Sequence, residues 1–259
     1  MFKLTIITVV LNGADTIRDT IESVLSQTYK NIEYIVIDGN STDNTLEIVN
    51  EYKDSIDLII SEPDQGLYSA INKGISLATG DVIGLLHSDD FYTDNTILEM
   101  IVNEFNKTKV STVFADLIYV KGNNFDKVIR YFSAKNFKPK KLTYGIMPPH
   151  PTFFVKKSVY DTYGLYQTDY QIAGDYEMFV RLLYKKNVSY SYIHKAIVKM
   201  RVGGLSNGGL INKILINIEM IRAMKNNGIN SNHLLILRKY PIKIIEIIKG
   251  YVYNFIRVK

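Results

Sequence analysis

The sequence predicts an α/β fold: a mostly parallel sheet flanked by helices, with a C-terminal helical extension. Three observations predict it. Short segments rich in β-branched residues alternate with segments of helical periodicity through the first half. Those β-type segments are apolar almost without interruption, as strands covered on both faces are. From about Leu210 onward only helical periodicity remains.

The strands of the first half are "KLTIITVV", "NIEYIVID", "SIDLIIS" and "DVIGLLH". Helical patterns separate them. Ile17, Ile21, Val24 and Leu25 share one face, with Asp15 or Thr16 placed to cap the start. Leu46, Val49 and Tyr52 form a second stripe behind Ser41, Thr42 and Asp43. Leu67, Ala70, Ile71 and Leu77 form a third, closed by Gly80. Beyond residue 111 the pattern changes. "STVFADLIYV" and "KVIRYFS" form a hairpin around "KGNN", and a proline-bearing basic loop follows. Then come a strand at "TFFV", helices near "KKSVYDTYG" and "YEMFVRLLYKKN", one or two strands in "VSYSYIHKAIVKMRV", and a flexible loop "GGLSNGG". Pro241 is expected to kink or divide the last helix.

Composition bounds the function. The chain has 259 residues, 46% of them apolar or aromatic, enough for one full core. It has no cysteine, which excludes disulfides, thiolate metal sites and cysteine nucleophiles. "MFKLTIITVVLNG" reads as a strand rather than a signal peptide, and no apolar run reaches the roughly 18 residues of a spanning helix. The net charge is +5, and the segment 234–259 carries all of it, with six basic residues against Glu246. The body of the chain is therefore neutral, and no nucleic-acid partner is expected.

In parallel sheets ligands bind beyond the carboxyl ends of the strands, and here those ends are acidic. Asp38 closes "YIVID", Glu62 and Asp64 follow "LIIS", and Asp89 and Asp90 follow "IGLLH". The first strand ends at Asn12 and Gly13, suited to a tight loop. Paired carboxylates suit a hard divalent cation such as Mg²⁺ or Mn²⁺, which also takes phosphate oxygens. A helix cap is the simpler use of the pair, but the other acidic strand ends favour a site. No "GxxxxGK[ST]" or "GxGxxG" is present, so a metal-held diphosphate is the expected ligand and Asp38 a partner for a base edge.

The run "TIITVVLNGADTIRDTIESVLSQTYKNIEYIVIDGNSTDNT", followed by "SEPDQGLYSAINKGISLATGDVIGLLHSDD", resembles family 2 glycosyltransferases. The resemblance covers the first 92 residues closely. It continues more loosely through "HPTFF", "AGDYEMFVRL" and "RVGGLSN" to about residue 207, and is nearest to bacterial enzymes of O-antigen, capsule and other surface polysaccharides. It implies a GT-A fold, a Rossmann-like sheet, over residues 1–207. Residues 1–110 would bind the nucleotide-sugar, 111–207 the acceptor, and 208–259 would form the helical extension.

The resemblance also implies roles. Thr8, Asn12, Asp38, Asp64 and Lys73 match donor-pocket positions. Asp89 matches the carboxylate near the ribose and Asp90 the one that binds Mn²⁺ or Mg²⁺. Asp175 matches the catalytic base of an inverting displacement. Arg201 stands where a basic side chain meets diphosphate or acceptor. Two positions depart from the family pattern: His87 replaces a frequent aspartate, and Ser69 stands in "YSA" where "YDA" is usual. His150, after two prolines, and His87 are candidates for a substrate or phosphate contact, and Tyr68 and Tyr92 for sugar stacking. The expected reaction moves a sugar from a UDP-sugar to a saccharide or lipid-linked acceptor. The alternative is a binding subunit without catalysis. The apolar and basic segment 234–259 suits an anionic membrane surface, so the expected location is cytoplasmic and peripheral on the inner face of the cell membrane.

Overall fold

The computed structural model describes residues 2–122, 124–202 and 209–257. The chain runs β1 (Leu4–Val10), α1 (Ile17–Leu25), β2 (Ile32–Asp38), α2 (Thr45–Glu51), β3 (Leu58–Ser61), α3 (Leu67–Leu77), β4 (Val82–Leu85) and β5 (Asp90–Tyr92). It continues with α4 (Ile97–Thr108), β6 (Thr112–Lys121), β7 (Asn124–Phe132), β8 (Phe154–Lys156), α5 (Lys157–Tyr163) and α6 (Gly174–Phe179). Last come β9 (Tyr190–Arg201), α7 (Gly209–Asn226), α8 (His233–Ile236) and α9 (Lys239–Arg257). The strands form one sheet in the order β3-β2-β1-β4-β8-β6-β9-β5, with β7 paired to β6.

Strands β1 to β4 are parallel, and every residue of β1 is buried. Side chains alternate across the sheet, so the apolar strand run divides into two cores. Ile7, Val9, Ile35 and Ile37 face Ile71 and Ile75 of α3. Leu4, Ile6 and Val36 face Ile17, Ile21 and Val24 of α1 and the buried stripe of α4. This double cover is the reason the strands lack the alternation of a half-exposed sheet.

The second half departs from the parallel pattern. β8 enters antiparallel between β4 and β6, and β5 runs antiparallel to β9 at the far edge. Asp90 therefore opens a strand rather than capping a helix, and α4 begins only at Ile97. "VSYSYIHKAIVKMRV" forms one strand, and α6 passes into a π-helical turn over Val180–Lys185. Pro241 lies in the first turn of α9, where a missing N–H costs no helical bond, and the helix runs unbroken to Arg257. The break falls earlier, between α8 and α9. The loop "GGLSNGG" falls almost wholly on residues 203–208, outside the described residues. No described helix is long and apolar enough to cross a membrane.

Candidate active site

Strand direction gathers the candidate residues. The carboxyl ends of β1, β2, β3 and β4 share one edge because these strands are parallel. The antiparallel strands β8 and β5 bring their amino ends to that edge, so His150 and Asp89–Asp90 arrive beside it. Arg201 comes at the carboxyl end of β9.

Asp38 is fully buried and fully partnered. Its carboxylate accepts the Ser41 amide at 3.2 Å, the Ser41 hydroxyl, and the Ser61 hydroxyl at 2.6 Å. Parallel register sets Ser61 opposite Asp38. Asn12, at φ 52°, ties the neighbouring loop to the same cluster. Its amide donates to Ser41 Oγ at 2.8 Å and its Oδ1 accepts the Thr42 amide at 2.8 Å. Thr8 is turned into the core, where its hydroxyl lies 3.1 Å from the Tyr34 hydroxyl. Lys73 reaches back from α3 to Asp64 and Glu62, each at 2.7 Å. The Oδ2 atom of Asp64 is buried without a protein partner.

Asp89 and Asp90 are not equivalent. Asp89 is half-buried, and its carbonyl accepts from Arg201 at 3.1 Å. Asp90 is wholly buried, and neither carboxylate oxygen has a protein partner. Burial first, then the charge of Asp89, raises its pKa well above the ordinary carboxylate range, against the pull of Arg201. The Arg201 guanidinium is itself buried, pairs with Asp19, and packs between the Phe91 and Phe125 rings. It is thus committed to holding the end of β9 against the Asp89 turn. The orphaned oxygens of Asp90 and the half-buried carboxyl of Asp89 fit part of the coordination of a hard cation. Among the described residues no group of three or more His, Cys, Asp or Glu forms a metal site, so diphosphate and water would have to supply the other ligands.

Asp175 sits in the first turn of α6 with its side chain largely buried. The Tyr176 amide donates to Oδ1 at 2.7 Å, and His150 Nδ1 lies 3.3 Å from Oδ2. Burial pushes the carboxyl up to about 7, overcoming the opposing Tyr176 amide. Burial pushes His150 down to about 4, so it is neutral near pH 7. His87 packs on it, ring centroids 5.4 Å apart, and burial together with His150 brings His87 down to about 4. A neutral imidazole beside a carboxyl near 7 leaves that carboxyl able to take a proton.

The loop before Asp175 is held from both sides. Tyr68 is buried, donates its hydroxyl to the Ile172 carbonyl at 2.7 Å and accepts the Gly174 amide at 2.8 Å. A side chain at Gly174 would stand 2.6 Å from the Tyr68 ring, which requires glycine there. From α7, Glu219 accepts the amides of Gln171, Ile172 and Ala173 at 2.8, 3.0 and 2.8 Å. Tyr68 and Tyr92 are both enclosed, so neither is the sugar-stacking surface expected of them. Glu219 and Tyr68 were missed as positioning residues. Their partners are 46 or more positions away, and no local pattern announces that. Ser61 carried a weak signal, closing its strand as Asp38 closes β2.

A mixed sheet whose parallel strands end in acidic residues, with a carboxylate-bearing helix beside them, agrees with the GT-A fold that the resemblance implies. Residues 5–164 match the description Glycosyl transferase family 2. The chain belongs to that family and is a glycosyltransferase. It is 30% identical over 244 residues to the UDP-Glc:alpha-D-GlcNAc-diphosphoundecaprenol beta-1,3-glucosyltransferase WfaP of Escherichia coli, covering 93% of this chain and 92% of that one. It is 29% identical over 212 residues to a PGL/p-HBAD biosynthesis glycosyltransferase of Mycobacterium tuberculosis, covering 80% and 79%. Among solved structures, S. aureus TarS 1-349 in complex with UDP-GlcNAc superposes with TM-score 0.68 at 17% identity, over 90% of this chain and 70% of that one. The same fragment with UDP is covered over 65% of its length, just under two thirds. The mannosyltransferase PcManGT from Pyrobaculum calidifontis, in complex with GDP-Man and Mn2+, gives 0.63 at 18%, over 98% and 70%. These last likenesses show the fold.

Proposed function

We propose that the protein is an inverting, metal-dependent glycosyltransferase of cell-surface polysaccharide assembly. It moves a sugar from a nucleotide-sugar, a UDP-sugar first, to a glycan or lipid-linked saccharide. The carrying observation is Asp175: a carboxyl raised to about 7 by burial, with one oxygen fixed by the Tyr176 amide and the other beside neutral His150. A base of that pKa takes the proton of an acceptor hydroxyl as the hydroxyl attacks the sugar. Tyr68 and Glu219 hold its loop, and thereby its direction of approach. One direct displacement by the acceptor hydroxyl inverts the anomeric centre, and no second carboxylate is required as a covalent nucleophile.

On the donor side, Asn12 and Asp38 fix the two loops that would receive the nucleoside, with Asp64 and Lys73 beside them. Asp89 and Asp90 would hold Mn²⁺ or Mg²⁺, which when bound neutralises charge on the leaving diphosphate. Residues 1–110 then serve the donor and 111–207 the acceptor. The WfaP name, which specifies a UDP-sugar and a diphosphoundecaprenol-linked acceptor, supports this choice of donor and acceptor. A peripheral place on the inner face of the cell membrane, through 234–259, suits such an acceptor. A thermal-shift screen of nucleotide-sugars with Mn²⁺, followed by a transfer assay, tests the reading. A UDP-sugar should raise the melting temperature of both wild type and Asp175→Asn, and only wild type should transfer. Full transfer by Asp175→Asn overturns it.

A further inference from the structure

Helix α9 is docked inside out. Glu246, Gly250 and Asn254, four residues apart, form the stripe that meets β7. Glu246 is buried and bonds Arg130, with Nε–Oε2 at 2.8 Å. Gly250 lies so close that a side chain there would stand 2.7 Å from the Ile129 and Arg130 backbone. Asn254 pairs with the open edge of β7, accepting the Val128 amide at 3.0 Å and donating to its carbonyl at 2.6 Å. The opposite face carries Ile244, Ile245, Ile247, Ile248, Tyr251 and Val252, all exposed. Six large apolar side chains held out of the core forgo the stabilisation that burial would bring. The polar stripe prevents the helix from rolling to bury them.

The exposed apolar surface does not end with α9. Of the large apolar side chains described as exposed, all but Leu11, Leu77 and Val202 lie between Ile211 and Val252. Ile211, Ile214 and Ile218 form a row along α7, with Ile211 80% exposed. α7 meets α9 where Lys239 Nζ donates to Asn217 at 2.7 Å. Leu234 and Leu237 of α8 add to it. The charge around these residues has one sign. From residue 209 to the end the only acids are Glu219 and Glu246, both buried, whereas Lys213, Arg238, Lys243 and Lys249 are exposed.

We infer that the outer faces of α7, α8 and α9 form one preassembled plane that sits on an anionic lipid bilayer. This deepens the peripheral membrane contact proposed above and rests on it. It adds α7 and α8 to the contact, and a fixed pose. Apolar side chains enter the acyl boundary and the lysines meet lipid phosphates. A second copy of the chain fits less well, because a two-fold contact would set these basic side chains against their own copies. The pose has a consequence for the site. α7 carries both the lipid-facing row and Glu219, which grips the loop before Asp175, so the plane sets the base at a constant height above the membrane.

Co-sedimentation with phosphatidylglycerol–phosphatidylcholine vesicles, at low and high salt, tests the plane. The full chain should bind, and more weakly as phosphatidylglycerol is removed. Ile244→Ser/Ile248→Ser and, separately, Ile211→Ser/Ile214→Ser should each weaken partitioning by at least about tenfold. Lys243→Gln/Lys249→Gln should remove most of the salt dependence. Lipid-free donor hydrolysis should stay at the wild-type rate in all three, which separates this surface from the transfer chemistry. No vesicle binding by wild type overturns the membrane contact altogether. Binding that ignores the α7 pair overturns the plane and leaves a contact through 234–259 alone. A lipid-free dimer that Ile244→Ser/Ile248→Ser turns into a monomer also overturns the plane, in favour of a second copy.

Discussion

Asp38 and Asp175 are two carboxylates at one end of one sheet, and their surroundings are opposite. Asp38 is enclosed by donors, with Ser41 supplying an amide and a hydroxyl and Ser61 a second hydroxyl. Asp175 receives one amide and a neutral histidine, and burial raises it to about 7. A destabilised anion accepts protons, as a base must. The comparison teaches that the acid count of a strand edge locates a site, whereas the donors around each acid decide its work.

The largest expected effect breaks the Asp175 side of the comparison. Asp175→Asn should lower transfer on the order of 100- to 10,000-fold while donor binding persists. Measuring the transfer rate beside a donor-induced melting shift checks this. Activity within a few fold of wild type would show that Asp175 is another buried acid.

Next in size is pH dependence, which tests the Asp175 side of the comparison. Transfer should rise with pH and level off above about 7, as Asp175 loses its proton. Stability should move the other way. The folded pKa of Asp175 lies above its unfolded value. Between about 4 and about 7 the folded state therefore keeps a proton that the unfolded chain has lost, and stability from this group declines as pH rises through that window. Asparagine escapes the decline, so the melting temperature of Asp175→Asn relative to wild type should climb from pH 4 to pH 8. A constant difference across that range would place the carboxyl in the ordinary range.

Glu219→Gln sharpens the comparison at one remove. The amide of glutamine keeps one acceptor oxygen for three backbone donors, so kcat should fall about tenfold, and the pH midpoint should move down because the Glu219 charge adds to the burial that raises Asp175. The smallest effect belongs to the satisfied side. Ser61→Ala removes one of the donors to Asp38 and should cost roughly 1 kcal/mol in urea unfolding, with little change in kcat. A large loss of kcat there would assign Asp38 a more direct part in the reaction.

Legibility followed the range of the interactions. α1 and α9 show it best. Both are amphipathic, and α1 buries Ile17, Ile21 and Val24 as its pattern foretells. α9 buries Glu246 and Gly250 instead, because Arg130 and the edge of β7 were waiting for them. Periodicity reports that a helix has two faces, and a distant strand chooses between them. The antiparallel entry of β8 and β5 was hidden for a similar reason, since three-residue strands carry too little pattern to show direction.

By itself the sequence determined the alternating α/β order, the two-sided burial of β1, β2 and β4, and the acidic edge at Asp38, Asp64, Asp89 and Asp90. These follow from local periodicity and from the rule that parallel strands end together. Only the tertiary structure decided that Asp90 is enclosed while Asp89 is half-open, and that His150 comes within 3.3 Å of Asp175. It also decided that Glu219 grips the loop of the base and that α9 faces its isoleucines outward. Each of these joins residues far apart in the chain, and burial and pairing at such distances exist only once the sheet has brought the segments together.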